Sequence, residues 1–405
     1  MINHFSNFSF YDEKMIGDQI IFHGAYSSLA KGGLREFLKL ITSSLASQKP
    51  TMLIVDGFRS VRNASPSDLD LSEFMHMLNA LVGSMGCTAL LLSPVEGNAP
   101  ESENTLVDGL IELSQYEHDM RQIREVKVFK MRGANHLLGK HSFEVTPNGI
   151  EMYPRLETVA GNKNAAASAS TEYLSCGVPS WDRVIGGGVI RASVTNLLGS
   201  PGVGKTSMAL HFIYEGLRNQ ENCLIVGFYE SPARLIEKAK KLGLDLPPYI
   251  QNNQLQIMWH LPLEILVDRL ASNILENVNQ RGVTRLVIDG VDSMRNIAMH
   301  PDRAPSFMIA LVNELRIRGV TTFVTEQLPY FKESIPVASS SSSALYENIM
   351  LLEFVEHDDV HYRQLSVLKL RENGYDNANH LMIISDSGVT VDGHIADIKN
   401  KNKQV

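Results

Sequence analysis

The chain has 405 residues, with 37 lysines and arginines against 45 aspartates and glutamates, for a net charge of −8. With 44% apolar residues it is too rich in core material to be disordered throughout, and at roughly 150 residues per domain the length predicts two to three domains. The acidic balance lacks the footprint of a protein that grips polyanions over its whole surface, so nucleic acid is not the default partner.

At the start, Met1 to Phe10 carries no basic flank followed by an apolar core, and no later stretch approaches the ~18 uninterrupted apolar residues of a membrane span. Cys87, Cys176 and Cys223 are widely spaced without a Cys-x-x-Cys pair, so the cysteines encode neither a disulfide framework nor a zinc site and fit a reducing compartment. A soluble, cytoplasmic chain is expected. The first half then offers a strand-like run Ile20-Ile21-Phe22-His23, an apolar run ending in Asp-Gly at Leu53-Ile54-Val55-Asp56-Gly57, and Val128-Phe129-Lys130-Met131-Arg132. Each returns later in the same order and at nearly constant spacing, as Ile257-Met258-Trp259-His260, Leu286-Val287-Ile288-Asp289-Gly290 and Val367-Leu368-Lys369-Leu370-Arg371. Three ordered echoes indicate a tandem repeat.

Between the copies, Ala160 to Thr171 reads AGNKNAAASAST, without an apolar period that could bury a face, and is expected to be a linker. The predicted organisation is a first domain over 1–157, a linker over 158–172, a second domain over 173–394 and a polar tail over 395–405. Each half alternates β-branched runs with amphipathic segments of helical length, the pattern of a parallel sheet with helices on both faces. In the second half the strands fall near Val194 to Leu198, Cys223 to Phe228, Leu255 to Met258, Arg285 to Asp289 and Thr321 to Thr325. After Ile349 the rhythm changes: Ile349 to Phe354, Gln364 to Leu370 and Leu381 to Ile384 follow one another with little room for helices, which predicts an antiparallel edge.

The strongest chemical signal is Gly199-Ser200-Pro201-Gly202-Val203-Gly204-Lys205-Thr206, with Ser207 next, which satisfies G-x-x-x-x-G-K-[ST] in full. A phosphate chain is held where backbone N–H groups converge without Cβ atoms in the way, and the glycines provide that. Lys205 then neutralises the terminal phosphates, and the Thr206 hydroxyl ligates Mg²⁺. The context agrees, since a buried strand leads in and Lys205 to Leu217 reads as a helix with Met208, Ala209, Phe212, Ile213 and Leu217 on one face. The expected cofactors are ATP and Mg²⁺.

Asp289 ends a run of Leu, Val and Ile, where a carboxylate can face the metal through a water; the alternative is a turn cap. Glu230 follows the next predicted strand and is the candidate for activating water, but Ser231-Pro232 behind it reads as a helix start that an acid would simply complement. Glu326 and Gln327, at the exit of the strand over Thr321 to Thr325, are candidates to sense the terminal phosphate, the alternative being the exposed polar residues expected at any strand exit.

Taken together these residues resemble the KaiC-like branch of RecA-type ATPases, which includes tandem-domain proteins labelled circadian clock proteins. The resemblance is carried by Ser175-Cys176-Gly177-Val178-Pro179-Ser180-Trp181-Asp182, by Gly186-Gly187-Gly188, and by Arg191 to Thr206. Phe228 to Pro232, the Asp289 run, Arg318-Gly319-Val320-Thr321 and Lys369-Leu370-Arg371 follow in family order. In the first half it extends through Asp56, Asp108-Gly109-Leu110-Ile111, Lys130-Met131-Arg132-Gly133, Phe143-Glu144-Val145 and Tyr153-Pro154-Arg155. It implies an α/β, RecA-like P-loop NTPase fold: a mostly parallel sheet flanked by helices, with C-terminal antiparallel strands, in two tandem copies of which the first is incomplete. It also implies a ring, usually a homohexamer, with ATP at subunit interfaces and Lys369 and Arg371 reaching a neighbour's terminal phosphate. Read on their own, those two cations are equally a solvated strand edge.

Three departures from the family pattern bear on activity. The family usually has two adjacent glutamates before Ser-Pro, the first commonly taken as the base, where this chain has Tyr229-Glu230; a phenol with a reference pKa near ~10 is a poor base, so turnover is expected to be slow unless Glu230 substitutes. The glycine after the Lys-x-Arg pair is Glu372 here, whose charge opposes the approach of Arg371 to phosphate. The repeat spacing carries the counterpart of Lys205 to before Met1, so the first half is expected to be either truncated, through a missed upstream start, or a degenerate copy lacking part of its sheet, and to bind no nucleotide of its own. Some family members phosphorylate a hydroxyl just before the strand equivalent to Ile349 to Phe354, where this chain has Ser339-Ser340-Ser341-Ser342-Ser343-Ala344, which makes autokinase activity a further expectation. A nucleotide-gated scaffold and a recombinase-like DNA motor are the competing readings, the latter disfavoured because Gln327 to Ser343 offers only Lys332 against Glu333.

Overall fold

The computed structural model describes residues 6–94, 103–118, 120–161, 170–261, 265–297, 301–328, 345–371 and 374–394, and divides the chain into two compact units, Met1–Met152 and Tyr153–Val405. Ser339 to Ser343, Lys332, Glu333, Glu372 and the tail over 395–405 lie outside the described residues.

In the first unit, β1 (Met52–Asp56) and β2 (Thr88–Leu92) pair in parallel, with Met52 opposite Thr88 and Asp56 opposite Leu92. Helices Tyr26–Gln48 and Asp68–Ser84 lie over one face, burying Phe37, Leu45, Leu71, Phe74 and Leu78. Ser67 starts the second of these by accepting the Asp70 N–H at 3.2 Å. Because side chains alternate along a strand, Leu53, Val55, Ala89 and Leu91 turn toward that core, while Met52, Ile54, Leu90 and Leu92 face the other way and are exposed. Four antiparallel strands form a separate sheet: β3 (Gly109–His118), β4 (Arg121–Met131), β5 (Lys140–Thr146) and β6 (Gly149–Tyr153).

The second unit begins with the short pair β7 (Tyr173–Leu174) and β8 (Val189–Ile190). Its main sheet contains β9 (Val194–Gly199), β10 (Asn222–Gly227), β11 (Leu255–Trp259), β12 (Val283–Asp289), β13 (Thr321–Gln327), β14 (Asn348–His357), β15 (Val360–Leu370), β16 (His380–Ser385) and β17 (Gly388–His394). The order is β11-β10-β12-β13-β9-β14-β15-β16-β17, parallel as far as β14 and antiparallel beyond it. The central strands are apolar on both faces because helices cover both. Leu224, Leu286, Ile288 and Val324 meet helices Val267–Arg281 and Ala304–Ile317, whereas Leu197, Ile225, Val287 and Phe323 meet helices Lys205–Arg218 and Pro232–Lys241. On the latter side the Phe212 and Phe323 rings stack with centroids 3.9 Å apart, and Trp181 meets Phe323 edge-on at 5.9 Å.

Two readings of the first half need correction. Its parallel strands carry helices on one face only among the described residues, because nothing there corresponds to the strand and helix that β9 and Lys205–Arg218 supply in the second unit. Likewise Ile20 to His23 is not a strand: Ile20 makes one isolated bridge with Ile16, and Ile21 and Phe22 are exposed. A single extended run cannot satisfy its backbone without a neighbour, and the strand against which β11 pairs, β10, has no described counterpart in the first unit. In the second half a strand unread from the sequence, β17, closes the antiparallel edge. Helix Leu156–Gly161 reaches into the segment read as a linker and packs on the second unit, with Leu156 and Ala160 buried there. Arg303 fastens it, bonding Glu157 at 2.5 and 2.8 Å and the buried Asp268 at 2.5 and 2.8 Å.

Candidate functional site

The site is built where β9 stops and the chain turns into helix Lys205–Arg218. Gly199 lies so close to β14 that a Cβ there would sit 2.3 Å from the Leu352 carbonyl oxygen. Gly202 and Gly204 hold φ of +76° and +117°, which side-chain-bearing residues rarely adopt, and a Cβ on Gly204 would also run into Ile384 Cδ1 at 2.6 Å. The loop is therefore bare backbone pressed between β14 and β16. The N–H groups of Lys205, Thr206 and Ser207 open the helix and, as at any helix start, have no acceptor within it.

Lys205 Nζ folds back over the loop and donates to the carbonyls of Gly199 at 2.7 Å and Ser200 at 2.9 Å. Burial lowers its pKa, partly offset by the carboxylates of Asp289 and Asp292. Thr206 Oγ1 donates to Asp289 Oδ2 at 3.1 Å and reaches Oδ1 at 3.3 Å. Asp289 and Thr325 are opposite one another in the β12–β13 register, and Thr325 Oγ1 donates to Asp289 Oδ1 at 2.6 Å while accepting the Gly290 N–H at 2.8 Å. Burial pushes the Asp289 carboxyl above the usual carboxylate range, and the two threonine hydroxyls act against that shift. Asp289 thus makes side-chain bonds across the sheet rather than capping its own turn. By contrast Asp56, which ends β1, is exposed.

Glu230 is ion-paired with Lys238 on helix Pro232–Lys241, and its Oε2 is buried without a hydrogen-bond partner. Ser231 is the N-cap residue of that helix by backbone geometry, with Pro232 in the first turn, but its side chain makes no capping bond. Tyr229 is 65% exposed and lays its ring on Gly290, where a Cβ would meet Cε2 at 3.0 Å. At the exit of β13, Gln327 N donates to Asp292 Oδ2 at 2.7 Å, and Glu326 Oε2 accepts from Asn196 Nδ2 at 2.7 Å. Gln327 is the register partner of Gly199, so both residues border the loop.

Lys205, Thr206, Asp289 and Glu230 therefore converge at the carboxyl ends of the parallel strands. Lys369 and Arg371 do not join them. β14 meets β9 with Leu352 opposite Gly199, whereas Lys369 pairs with Ile349 at the start of β14, so the two cations lie toward the amino ends of the parallel strands while Lys205 follows a carboxyl end. There Lys369 Nζ donates to the Tyr346 carbonyl at 2.7 Å, and Arg371 is exposed. In the first unit the echoing Lys130 and Arg132 are occupied locally, Lys130 by the Thr105 carbonyl at 3.0 Å and Arg132 by Asp108 at 3.4 Å. Thr325 and Lys238 were not singled out from the sequence. Thr325 requires the register of β12 against β13, and Lys238 requires knowing that the helix after Pro232 folds back over its own start.

The donor set fits a metal-bound nucleoside triphosphate: a cradle that Cβ atoms would fill, a lysine already seated on the loop's carbonyls, and a hydroxyl paired with a carboxylate. No described helix is long and apolar enough to cross a membrane. Comparison with known proteins gives the same picture. The family model for the KaiC ATPase matches residues 14–157 and 174–395. The circadian clock oscillator protein KaiC of Parathermosynechococcus lividus is 25% identical over 290 residues, covering 71% of this chain and 52% of that protein. KaiC of Synechococcus elongatus is 23% identical over 361 residues, 88% of this chain and 68% of the relative, and KaiC 1 of Synechocystis sp. is 25% identical over 287 residues, 71% and 54% respectively. The chain spans about half the length of the first of these relatives. With a RecA-like sheet, a complete phosphate loop and matched segments that take in most of its length, the chain belongs to the KaiC ATPase family.

Proposed function

We propose that the second unit binds ATP with Mg²⁺ at the loop over 199–206 and hydrolyses it slowly as part of a homo-oligomeric ring. The observation that carries this reading is the convergence of Lys205, Thr206 and Asp289 at the end of β9 and β12. The backbone from Gly202 to Ser207 would hold the phosphates, Lys205 would release its two carbonyls to meet them, and Thr206 with Asp289 would hold the cation. Bound Mg²⁺ supplies neutralisation of phosphate charge. Glu230, beside Asp289, would orient water, and to do so it must loosen its pairing with Lys238. The position of Lys369 and Arg371 at the far end of β15 supports a role toward a neighbouring copy, as a cation delivered across an interface. Autokinase activity on Ser339 to Ser343 and a role in signalling or timing belong to the same reading.

A second reading, a nucleotide-gated scaffold without turnover, is favoured by Tyr229 in the family's glutamate position and by the Glu230–Lys238 pair, which together leave no unengaged base beside Asp289 among the described residues. One titration separates the two. ATP is added to the purified chain while oligomer mass and phosphate release are followed together, with Lys205→Ala in parallel. Slow release that vanishes in Lys205→Ala supports the enzyme; ATP-driven assembly without release supports the scaffold. Unchanged ATP binding in Lys205→Ala overturns both.

A further inference from the structure

At the antiparallel edge of the second unit, three potential metal ligands come together away from the phosphate loop. His380 opens β16 and His394 closes β17, and the two are cross-strand partners with ring centroids 5.2 Å apart. Asp376, in the connection from β15 to β16, brings Oδ2 to 3.7 Å from His380 Nε2. One ligand atom from each of the three lies within 4.8 Å of the others, and among the described residues no other trio of His, Cys, Asp or Glu does so.

His380 makes this more than a chance meeting of polar side chains. Its ring is 4% exposed, yet Nε2 makes no hydrogen bond. A buried nitrogen without a partner is costly unless something occupies its lone pair. The loop carrying Asp376 is anchored at its base, where Asp376 N donates to the Val184 carbonyl at 2.9 Å, while its carboxylate is exposed together with His394. The site therefore has one fixed interior ligand, two accessible ones and a path from solvent.

We propose that His380, His394 and Asp376 bind a divalent transition-metal ion of the zinc class, leaving a fourth position for water. Two imidazoles and a carboxylate suit such an ion, whereas Mg²⁺ and Ca²⁺ prefer all-oxygen sets. Tetrahedral coordination with bonds of about 2.0–2.1 Å needs ligand atoms about 3.3 Å apart, so the exposed pair must close on His380 by an ångström or so. The ion would clip β16 to β17 and to the preceding loop. His380 shares a face of β16 with Met382 and Ile384, the two side chains that back Gly204, so the clip would stiffen the wall behind the phosphate loop.

The test uses the full chain, first stripped with chelator, and titrates Zn²⁺ by calorimetry and Co²⁺ by visible ligand-field absorption. One equivalent with a tetrahedral Co²⁺ spectrum is expected, weakened about tenfold or more in both His394→Ala and Asp376→Asn. These two exposed residues are chosen because their replacement spares the core, and near-ultraviolet circular dichroism checks that each variant is folded. His23→Ala, which alters an exposed histidine of the first unit, should leave the affinity unchanged. Absence of the Co²⁺ band, equal affinity in His394→Ala and Asp376→Asn, or an equal loss in His23→Ala would overturn the proposal.

Discussion

Asp289 is where competing demands meet most sharply. It is enclosed enough that its carboxyl titrates above the usual range, and two threonine hydroxyls hold it in place. Its folded-state pKa lies above its unfolded value, so between those two values the native state binds more protons than the unfolded state. Stability contributed at this position therefore falls as pH rises through the window just above the ordinary carboxylate range. Asp289→Asn removes that slope and keeps an oxygen to accept from Thr325. Without nucleotide the variant should melt at or above the parent temperature at pH 7 and show a flatter stability profile on acidification. Its affinity for ATP in the presence of Mg²⁺ should fall on the order of tenfold, the loss of one charged interaction. A variant that melts well below the parent at pH 7 would mean that the charge itself is stabilising. The placement of Asp289 at a strand's carboxyl end was readable from the sequence as the acid ending an apolar run. That Thr325 would bond to it was not, because it depends on the register of β12 against β13, which local pattern does not specify.

At the level of elements, the phosphate loop is shaped as much by the strands pressed against it as by its own glycines. Gly204→Ala asks alanine to hold φ of +117° and to occupy space already filled by Ile384. The two effects together should cost about 1–3 kcal/mol, seen as a lower denaturant midpoint with an unchanged slope. Adding Ile384→Ala should recover part of the loss, because it relieves the collision but not the backbone strain. No recovery would mean that the strain accounts for the whole cost. The parallel strands, the helix after the loop and the switch to antiparallel order were all legible, since continuous β-branched runs and a 3.6-residue apolar stripe are strong local signals. The strand-like Ile20 to His23 misled for the opposite reason: it has the composition of a strand but no neighbour to pair with.

For the molecule as a whole, Lys205 follows the carboxyl end of β9 while Arg371 lies past the end of β15 that pairs with the start of β14, so one subunit does not bring the two together. If a neighbour completes the site, Arg371→Ala should bind ATP as the parent does but release phosphate at least ~10³-fold more slowly, as for other cations supplied in trans. Mixing Arg371→Ala with Lys205→Ala should then restore a fraction of the rate, because some junctions would combine an intact loop with an intact arginine. A mixture no faster than either variant alone would show that the arginine acts within its own subunit. The tandem plan was legible from three ordered echoes, but the one-sided packing of the first copy was not, since burial depends on elements that a repeat search only counts. That asymmetry has a dynamic consequence. Among the described residues β1 and β2 pair with one another alone, and Met52, Ile54, Leu90 and Leu92 are exposed on the open side, whereas β9 is walled in by β13, β14 and two helical layers. Among the described parallel strands the ladder between β1 and β2 is thus the least supported, and its amides should exchange with solvent faster than those of β9.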